Sequence, residues 1–295
     1  MNHSIAIVIP AYKATFLSAT LDSIAAQTCK DFTLYVGDDS SPEPIDRIVE
    51  VYRDKIDLVY QRFDSNLGGT DLVAQWERCI AMSQNEPYIW LFSDDDVMES
   101  GCVETLLRQI DTTKGSFDLY HFDIDRIDEH GNFEGRKEDY PAVLSSYRFY
   151  RGKNAGRYFA FAVENVFSRR IYEQCGGFIK YDMAWGSDVA TWIIFSGEKG
   201  MCTVPHARVC WRQSSQNITP DMSRQVAERK LRAEMGMLNW AYHYFDDKPD
   251  IYATNRAFFI YKIHLYRRFV SKECLKEAFA MFFATHGHFW ESVLP

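Results

Sequence analysis

Three consecutive carboxylates, Asp94-Asp95-Asp96, follow Ser93 at the end of the apolar run Tyr88-Ile89-Trp90-Leu91-Phe92. Adjacent acidic side chains repel one another, which costs stability unless a cation or hydrogen-bond donors gather them. An oxygen-only set suits a hard cation such as Mg²⁺ or Mn²⁺, which keeps coordination positions open for phosphate oxygens. The chemistry within reach is a metal–diphosphate site; the alternative is an acidic turn capping the helix that follows Glu99. A second acidic pair, Asp38-Asp39, ends the apolar run 32–36 and leads into Ser40-Ser41. A third candidate, Asp188, opens an apolar helix over 189–195, where Ser187 or Asp188 can equally serve as the N-cap.

The elements that position these groups can be read from the hydrophobic pattern. The runs 88–92 and 5–9 show no alternation, as expected of strands buried on both faces of a parallel sheet. Further strands are predicted at 32–36 and 58–61, with helices over 16–27, 44–52 and 71–82 between them. Two successive strands ending in acid place both clusters on one edge of a parallel sheet, where open α/β sheets bind ligands. The order βαβαβαβ with short connections predicts an α/β fold, a doubly wound, mostly parallel sheet. Neither G-x-G-x-x-G after the first strand nor G-x-x-x-x-G-K-[ST] occurs, which disfavours dinucleotide enzymes and P-loop NTPases. In Asn66-Leu67-Gly68-Gly69 the glycines permit close ligand approach or a tight turn.

Beyond residue 106 the pattern changes. A strand at 118–124 and a segment around Phe133 bracket a hairpin turn at 128–132. A helix is expected over 148–161, then a short strand, a helix and a glycine stop over 167–178, and a last strand at 204–211. From Met222 the chain reads as helical, with Leu231, Met235, Leu238, Tyr242 and Phe245 on an amphipathic stripe. The final segment mixes aromatics with Lys262, Arg267, Arg268, Lys272 and Lys276. It reads as a helical cap on the α/β domain or as a face resting on an anionic membrane surface.

Composition narrows the classes. The 295 residues are 46% hydrophobic and 25% charged, ordinary for a globular protein with a large core. A formal net charge of −8 supplies no protein-wide basic field, which argues against nucleic acid as a partner. Seven cysteines are dispersed with no C-x-x-C pair, a pattern suited to buried thiols in a reducing cytoplasm. The opening apolar run stops at Pro10 with no basic region before it, so no signal peptide is expected, and no stretch approaches transmembrane length.

Taken in order, Ile7-Val8-Ile9-Pro10-Ala11-Tyr12, residues 23–28, Asp38-Asp39-Ser40-Ser41, Asn66-Leu67-Gly68 and Ser93-Asp94-Asp95-Asp96 resemble the successive motifs of family 2 glycosyltransferases of the GT-A fold. Cys175-Gly176-Gly177-Phe178, then Trp185 and Ser187-Asp188, resembles the second half of that catalytic domain. The resemblance implies a GT-A catalytic domain over 1–219, with a nucleotide-sugar half at 1–111 and an acceptor half at 112–219. Residues 220–295 are expected to form a helical appendage. It implies inverting transfer from a nucleotide sugar, UDP-linked above all, to an acceptor hydroxyl in surface polysaccharide or glycolipid synthesis. By position, Pro10, Ala11 and Tyr12 line the nucleoside pocket, Asp39 binds the base with Asp38 beside it, and Asn66 and Gly68 belong to the same donor site. Asp95 is the main ligand of Mg²⁺ or Mn²⁺; Asp94 and Asp96 serve the ribose, the metal or its waters. Arg212 meets the phosphates, and Asp188 is the general base.

The chain departs from the family pattern in places. Ser93 stands where the acidic motif commonly begins, so Asp94-x-Asp96 is a second possible register for the metal motif, and Ser187 replaces the first acid of the usual base pair. Trp211-Arg212-Gln213-Ser214 lacks the histidine often found in the late loop. Glu164, Asn165 and Trp185 are candidate acceptor contacts. The implied partners are a nucleotide sugar, a saccharide or glycolipid acceptor, the inner face of a membrane and a second copy through the C-terminal helices. The rival readings are a nucleotide-sugar-binding protein of this fold with impaired catalysis, and a sugar nucleotidyltransferase. The latter is disfavoured because Ala11-Tyr12-Lys13 is too short for a glycine-rich triphosphate clamp.

Overall fold

The first strand, β1 (Ile5–Ala11), is buried at every position except the partly covered Pro10. It has α1 (Leu17–Ala25), β2 (Phe32–Asp38), α2 (Ile45–Glu50), β3 (Leu58–Arg62), α3 (Leu72–Ile80) and β4 (Tyr88–Leu91) after it in regular alternation. The computed structural model describes residues 3–287, which cluster into two compact units. One holds the chain as far as Phe178 together with Thr191–Ser214; the other holds Ile179–Ala190 and the chain from Ser215 onward.

In the first unit β2 and β4 flank β1 in parallel, and β3 extends the sheet beyond β2, also in parallel. The register pairs Ala11 with Asp38 and Val8 with Leu91. The β2 and β4 ends thus arrive at the same sheet edge, and the chain leaves each of them into acid. Continuous burial of Ile5, Ile7 and Ile9 against Leu17, Leu21 and Ile24 of α1 fixes this layer. Each such aliphatic side chain contributes about 1.5–3 kcal/mol.

After β4 come β5 (Val97–Met98), α4 (Cys102–Thr112), β6 (Leu119–Ile127), β7 (Phe133–Arg136), β8 (Val143–Leu144), α5 (Ser146–Asn154), β9 (Asn165–Ser168), α6 (Arg169–Cys175), α7 (Ser187–Ser196) and β10 (Met201–Arg212). The strand order is β3-β2-β1-β4-β9-β6-β10-β5, with β7 on β6 and β8 on β10. The α/β class and the parallel first half agree with the sequence reading. The second half is more mixed than the sequence order suggests, because β9 lies antiparallel between β4 and β6. The 128–132 turn does close an antiparallel β6–β7 hairpin. The helix expected over 148–161 ends at Asn154: Gly156 adopts a left-handed φ of 73°, and the Tyr158 ring packs where a Cβ on Gly152 would lie. Two-residue strands such as β5 and β8 leave no pattern to read. Trp90 anchors the centre, stacked on Phe122 at 4.9 Å with its indole N–H donated to the Val163 carbonyl at 2.7 Å.

The second unit is built on α8 (Arg224–Tyr244), α9 (Ile251–Tyr266) and α10 (Lys272–His286). The α8 stripe buries Leu231, Met235 and Leu238 completely. Lys230, also fully buried, donates to the carbonyls of Ile218, Thr219 and Asp221 at 2.6, 3.1 and 2.7 Å and thereby holds the loop entering α8. Glu234 accepts from Trp185 Nε1 and Lys262 Nζ, both at 2.7 Å. Among the described residues no helix is long and apolar enough to cross a membrane.

Candidate active site

The acidic turn after β4 is held from several sides within the first unit. Asp94 Oδ2 accepts the backbone N–H groups of Tyr12 at 2.8 Å and Lys13 at 2.7 Å. This ties the end of β1 to the end of β4. Asp96 accepts from Ser93 Oγ at 2.6 Å and from the Arg212 backbone N–H at 2.7 Å, while Thr20 Oγ1 donates to its carbonyl. Asp95 faces the Lys13 ammonium at 3.1 Å. All three carboxylates are buried. Burial first, and the neighbouring Asp95 charge second, push the Asp94 carboxyl up to about 6 and the Asp96 carboxyl well above its ordinary range. Burial opposes the Lys13 charge, but Asp95 and Asp94 outweigh it and hold the ammonium pKa above its ordinary value.

This cluster carries more negative charge than its donors relieve, a condition a divalent cation would correct. No three metal-ligating side chains converge among the described residues. An Mg²⁺ or Mn²⁺ ion at this turn would take one or two of the carboxylates and complete its shell with substrate oxygens. Each carboxylate oxygen has two lone pairs, so hydrogen bonding at Asp94 and Asp96 leaves capacity to ligate. The residues fit the ion.

The second acidic pair forms a cradle beside this turn. Asp38, fully buried, accepts from the Ser41 backbone N–H at 2.8 Å and from Tyr60 Oη and Arg62 Nη1, both at 2.7 Å. Asp39 Oδ1 accepts the Leu67 N–H at 2.7 Å and also meets Arg78; its Oδ2 accepts the Gly68 N–H at 2.8 Å. Asn66 Nδ2 donates to the Asp39 carbonyl at 3.3 Å, and the Asp39 N–H returns to the Ala11 carbonyl at 2.9 Å. Gly68 is required here because a Cβ would stand 2.7 Å from Asp39 Oδ2. Ser41 Oγ donates to the Tyr12 carbonyl at 2.5 Å, while the Tyr12 side chain is exposed beyond it. Ala11, Tyr12, Asp38, Asp39, Asn66, Gly68, Asp94, Asp95 and Asp96 are therefore linked along one edge by hydrogen bonds, with Pro10 preceding Ala11 in β1.

Arg212 joins that edge from β10, but its guanidinium is directed at main chain. Nε donates to the Asp95 carbonyl at 2.8 Å and Nη1 to the Asp128 carbonyl at 3.0 Å, and the group lies 4.8 Å from the Phe16 ring centroid. It clasps the acidic turn to the hairpin turn. Glu164 and Asn165 are buried, and Glu164 Oε1 accepts the Phe161 N–H at 2.7 Å. Glu164 thus holds the loop ahead of β9 from within, and Asn165 is the first residue of that strand.

Asp188 belongs to the second unit, at the second position of α7. It is half-buried, and its Oδ1 accepts the Val189 N–H at 2.8 Å. Ser187 is fully buried and its Oγ accepts the Tyr181 N–H at 2.9 Å. The loop before them is strained: Met183 and Ala184 take left-handed φ values of 58° and 55°. Non-glycine residues in that region cost about 1–2 kcal/mol each. Trp185 donates its indole N–H to Glu234, so this loop is fixed to α8.

Three contributors were not singled out from sequence. Lys13 directly follows the Pro10-Ala11-Tyr12 motif, and that adjacency was a usable signal. Arg62 and Arg78 reach Asp38 and Asp39 across 24 and 39 residues of chain, which no local pattern reveals.

The half-parallel, half-mixed sheet with two acidic turns at one edge has the arrangement of the GT-A fold. The model of glycosyl transferase family 2 matches residues 6–176, more than half of the chain, and the chain belongs to that family as a glycosyltransferase. Among curated proteins none matches it. Among solved structures, S. aureus TarS 1-349 in complex with UDP-GlcNAc aligns with a TM-score of 0.60 at 12% identity, over 96% of this chain and 89% of that one. Its complex with UDP aligns with a TM-score of 0.57 at 14% identity and the same coverage. GalNAc-T7 with UDP, GalNAc and Mn²⁺ aligns with a TM-score of 0.56 at 13% identity, over 78% of this chain and 47% of that one.

Proposed function

We propose that this glycosyltransferase moves a sugar from a UDP-sugar to an acceptor hydroxyl with inversion, using Mn²⁺ or Mg²⁺. The observation that carries this reading is the continuity of the Asp39 cradle with the buried Asp94–Asp96 turn on one sheet edge. UDP, UDP-GlcNAc and Mn²⁺ in the structural neighbours support the choice of donor and ion. Pro10, Ala11 and Tyr12 line the nucleoside; Asp39, oriented by Asn66, Gly68 and Arg78, accepts the base N–H, with Asp38 bracing it. Asp94 meets the ribose, and Asp95 and Asp96 hold the cation. When bound, that cation supplies Lewis acidity to the diphosphate. Lys13 adds positive charge beside the departing diphosphate, and Arg212 braces the acidic turn through the Asp95 carbonyl.

The acceptor oxygen attacks the anomeric carbon opposite the diphosphate. Its proton passes to the Asp188 carboxylate as the bond from that carbon to the diphosphate oxygen breaks, its electron pair leaving with UDP. One displacement inverts the centre. Residues 1–219 are proposed as the catalytic domain and 220–295 as its appendage. The setting we propose is surface polysaccharide or glycolipid assembly at the cytoplasmic face of a membrane.

Asp188→Asn tests the base assignment. It is expected to lower transfer by about 10²- to 10⁴-fold while UDP affinity stays at the wild-type value. Wild-type turnover by this variant would remove Asp188 from the mechanism.

A further inference from the structure

The outer faces of α9 and α10 carry apolar side chains that a folded protein usually hides. Ile260 and Tyr261 are 50% and 56% exposed, and Leu265, Phe269 and Phe279 are exposed with them. A groove of about 270 Å³ runs among Ile260, Ile263, Phe279 and Phe283, with Arg256 and Arg267 on its wall. Residues 256, 260, 263 and 267 share one stripe of α9, and 272, 276, 279 and 283 share one stripe of α10, at spacings of four and three. Arg256 and Arg267 stand roughly 16 Å apart along the axis, with the isoleucines between them.

The cations on these stripes are not neutralised. Among the described residues, Arg256, Arg267, Arg268, Lys272 and Lys276 form no ion pair, whereas Lys262 is tied to Glu234 at 2.7 Å. Residues 251–286 contain six Lys/Arg and two Glu, a net +4. All other residues contain 27 Lys/Arg and 39 Asp/Glu, a net −12. Positive charge in this acidic chain is thus gathered where apolar side chains are exposed.

We propose that this face docks on an anionic lipid bilayer. An interfacial surface needs apolar side chains to enter the acyl boundary and cations at headgroup depth, and the two stripes carry both. A second copy satisfies only the first need, since it would set +4 against +4. The proposal rests on this surface alone and stands apart from the donor-site assignment.

The test is co-sedimentation of the full chain with phosphatidylcholine vesicles and with mixed phosphatidylcholine–phosphatidylglycerol vesicles, at low and high salt. Binding is expected only to the anionic vesicles, with release at high salt. Arg256→Ser/Arg267→Ser is expected to lower the partition coefficient about 30-fold, at roughly fivefold per cation. Ile260→Ser/Phe279→Ser should also weaken it, with a modest fall in melting temperature because the Phe279 ring packs edge-to-face on Phe259, so binding is compared well below the transition. Failure to bind anionic vesicles, or binding unchanged by both double variants, would overturn the proposal. So would concentration-dependent dimerisation abolished by Ile260→Ser/Phe279→Ser.

Discussion

A single methyl group at Gly68 is expected to separate nucleotide binding from folding. The Gly68 N–H reaches Asp39 Oδ2 at 2.8 Å, and a Cβ at this position would stand 2.7 Å from the same oxygen. Carbon and oxygen do not pack so closely, so in Gly68→Ala the carboxylate must turn. It has little room to do so, because Oδ1 is engaged by the Leu67 N–H and by Arg78. At least one charged hydrogen bond is lost, about 1.5–3 kcal/mol. Part of this appears as a melting temperature lower by a few degrees. If Asp39 also accepts from the base, the misplaced carboxylate weakens UDP binding by about 10- to 100-fold. Gly101→Ala is the control, since a Cβ there meets no atom within 4 Å. The assay is calorimetric titration of UDP alongside thermal unfolding. Wild-type UDP affinity in Gly68→Ala, whatever its stability, would refute the reading of Asp39 as the base-binding group.

Two further outcomes follow from buried charges. Burial and then the Asp95 charge raise the Asp94 carboxyl to about 6 from an ordinary value of 3.8. Its contribution to stability is therefore complete below about pH 4 and lost as pH rises through 6. Asp94→Asn should stabilise the metal-free protein by about 1–3 kcal/mol at neutral pH and hardly at all near pH 4, as read by thermal unfolding at both. A lower melting temperature at neutral pH would contradict this. Lys230→Met keeps the buried stem but strips the donor from three carbonyls. It should cost about 2 kcal/mol, since the exposed 218–221 loop can recover some hydrogen bonds from water, and unfolding in urea would measure it.

The first half of the site was legible because its chemistry is written in contiguous residues. Apolar runs without alternation marked β1 and β4 as central strands, and acid after β2 and β4 marked the functional edge. What was hidden depends on long-range geometry. The short β9 carries no mark of its direction, so the antiparallel insertion between β4 and β6 could not be read. The Arg212 side chain was expected to face phosphate, yet its nitrogens reach the carbonyls of Asp95 and Asp128, contacts that exist only once the hairpin turn folds beside the acidic turn. Arg62 and Arg78 likewise become partners of Asp38 and Asp39 only across the assembled sheet. Residues 179–190, continuous in sequence with the catalytic motifs, cluster with the helices of the second unit. That grouping rests on contacts such as Trp185 to Glu234, which nothing in the local sequence announces.

The most direct measurement is calorimetric titration of UDP, with and without Mn²⁺, into the wild type and Asp95→Ala. Metal-enhanced UDP binding is expected in the wild type, and in Asp95→Ala only weak binding that Mn²⁺ does not improve. UDP binding of equal strength in both proteins, indifferent to Mn²⁺, would contradict a metal–diphosphate site at this turn.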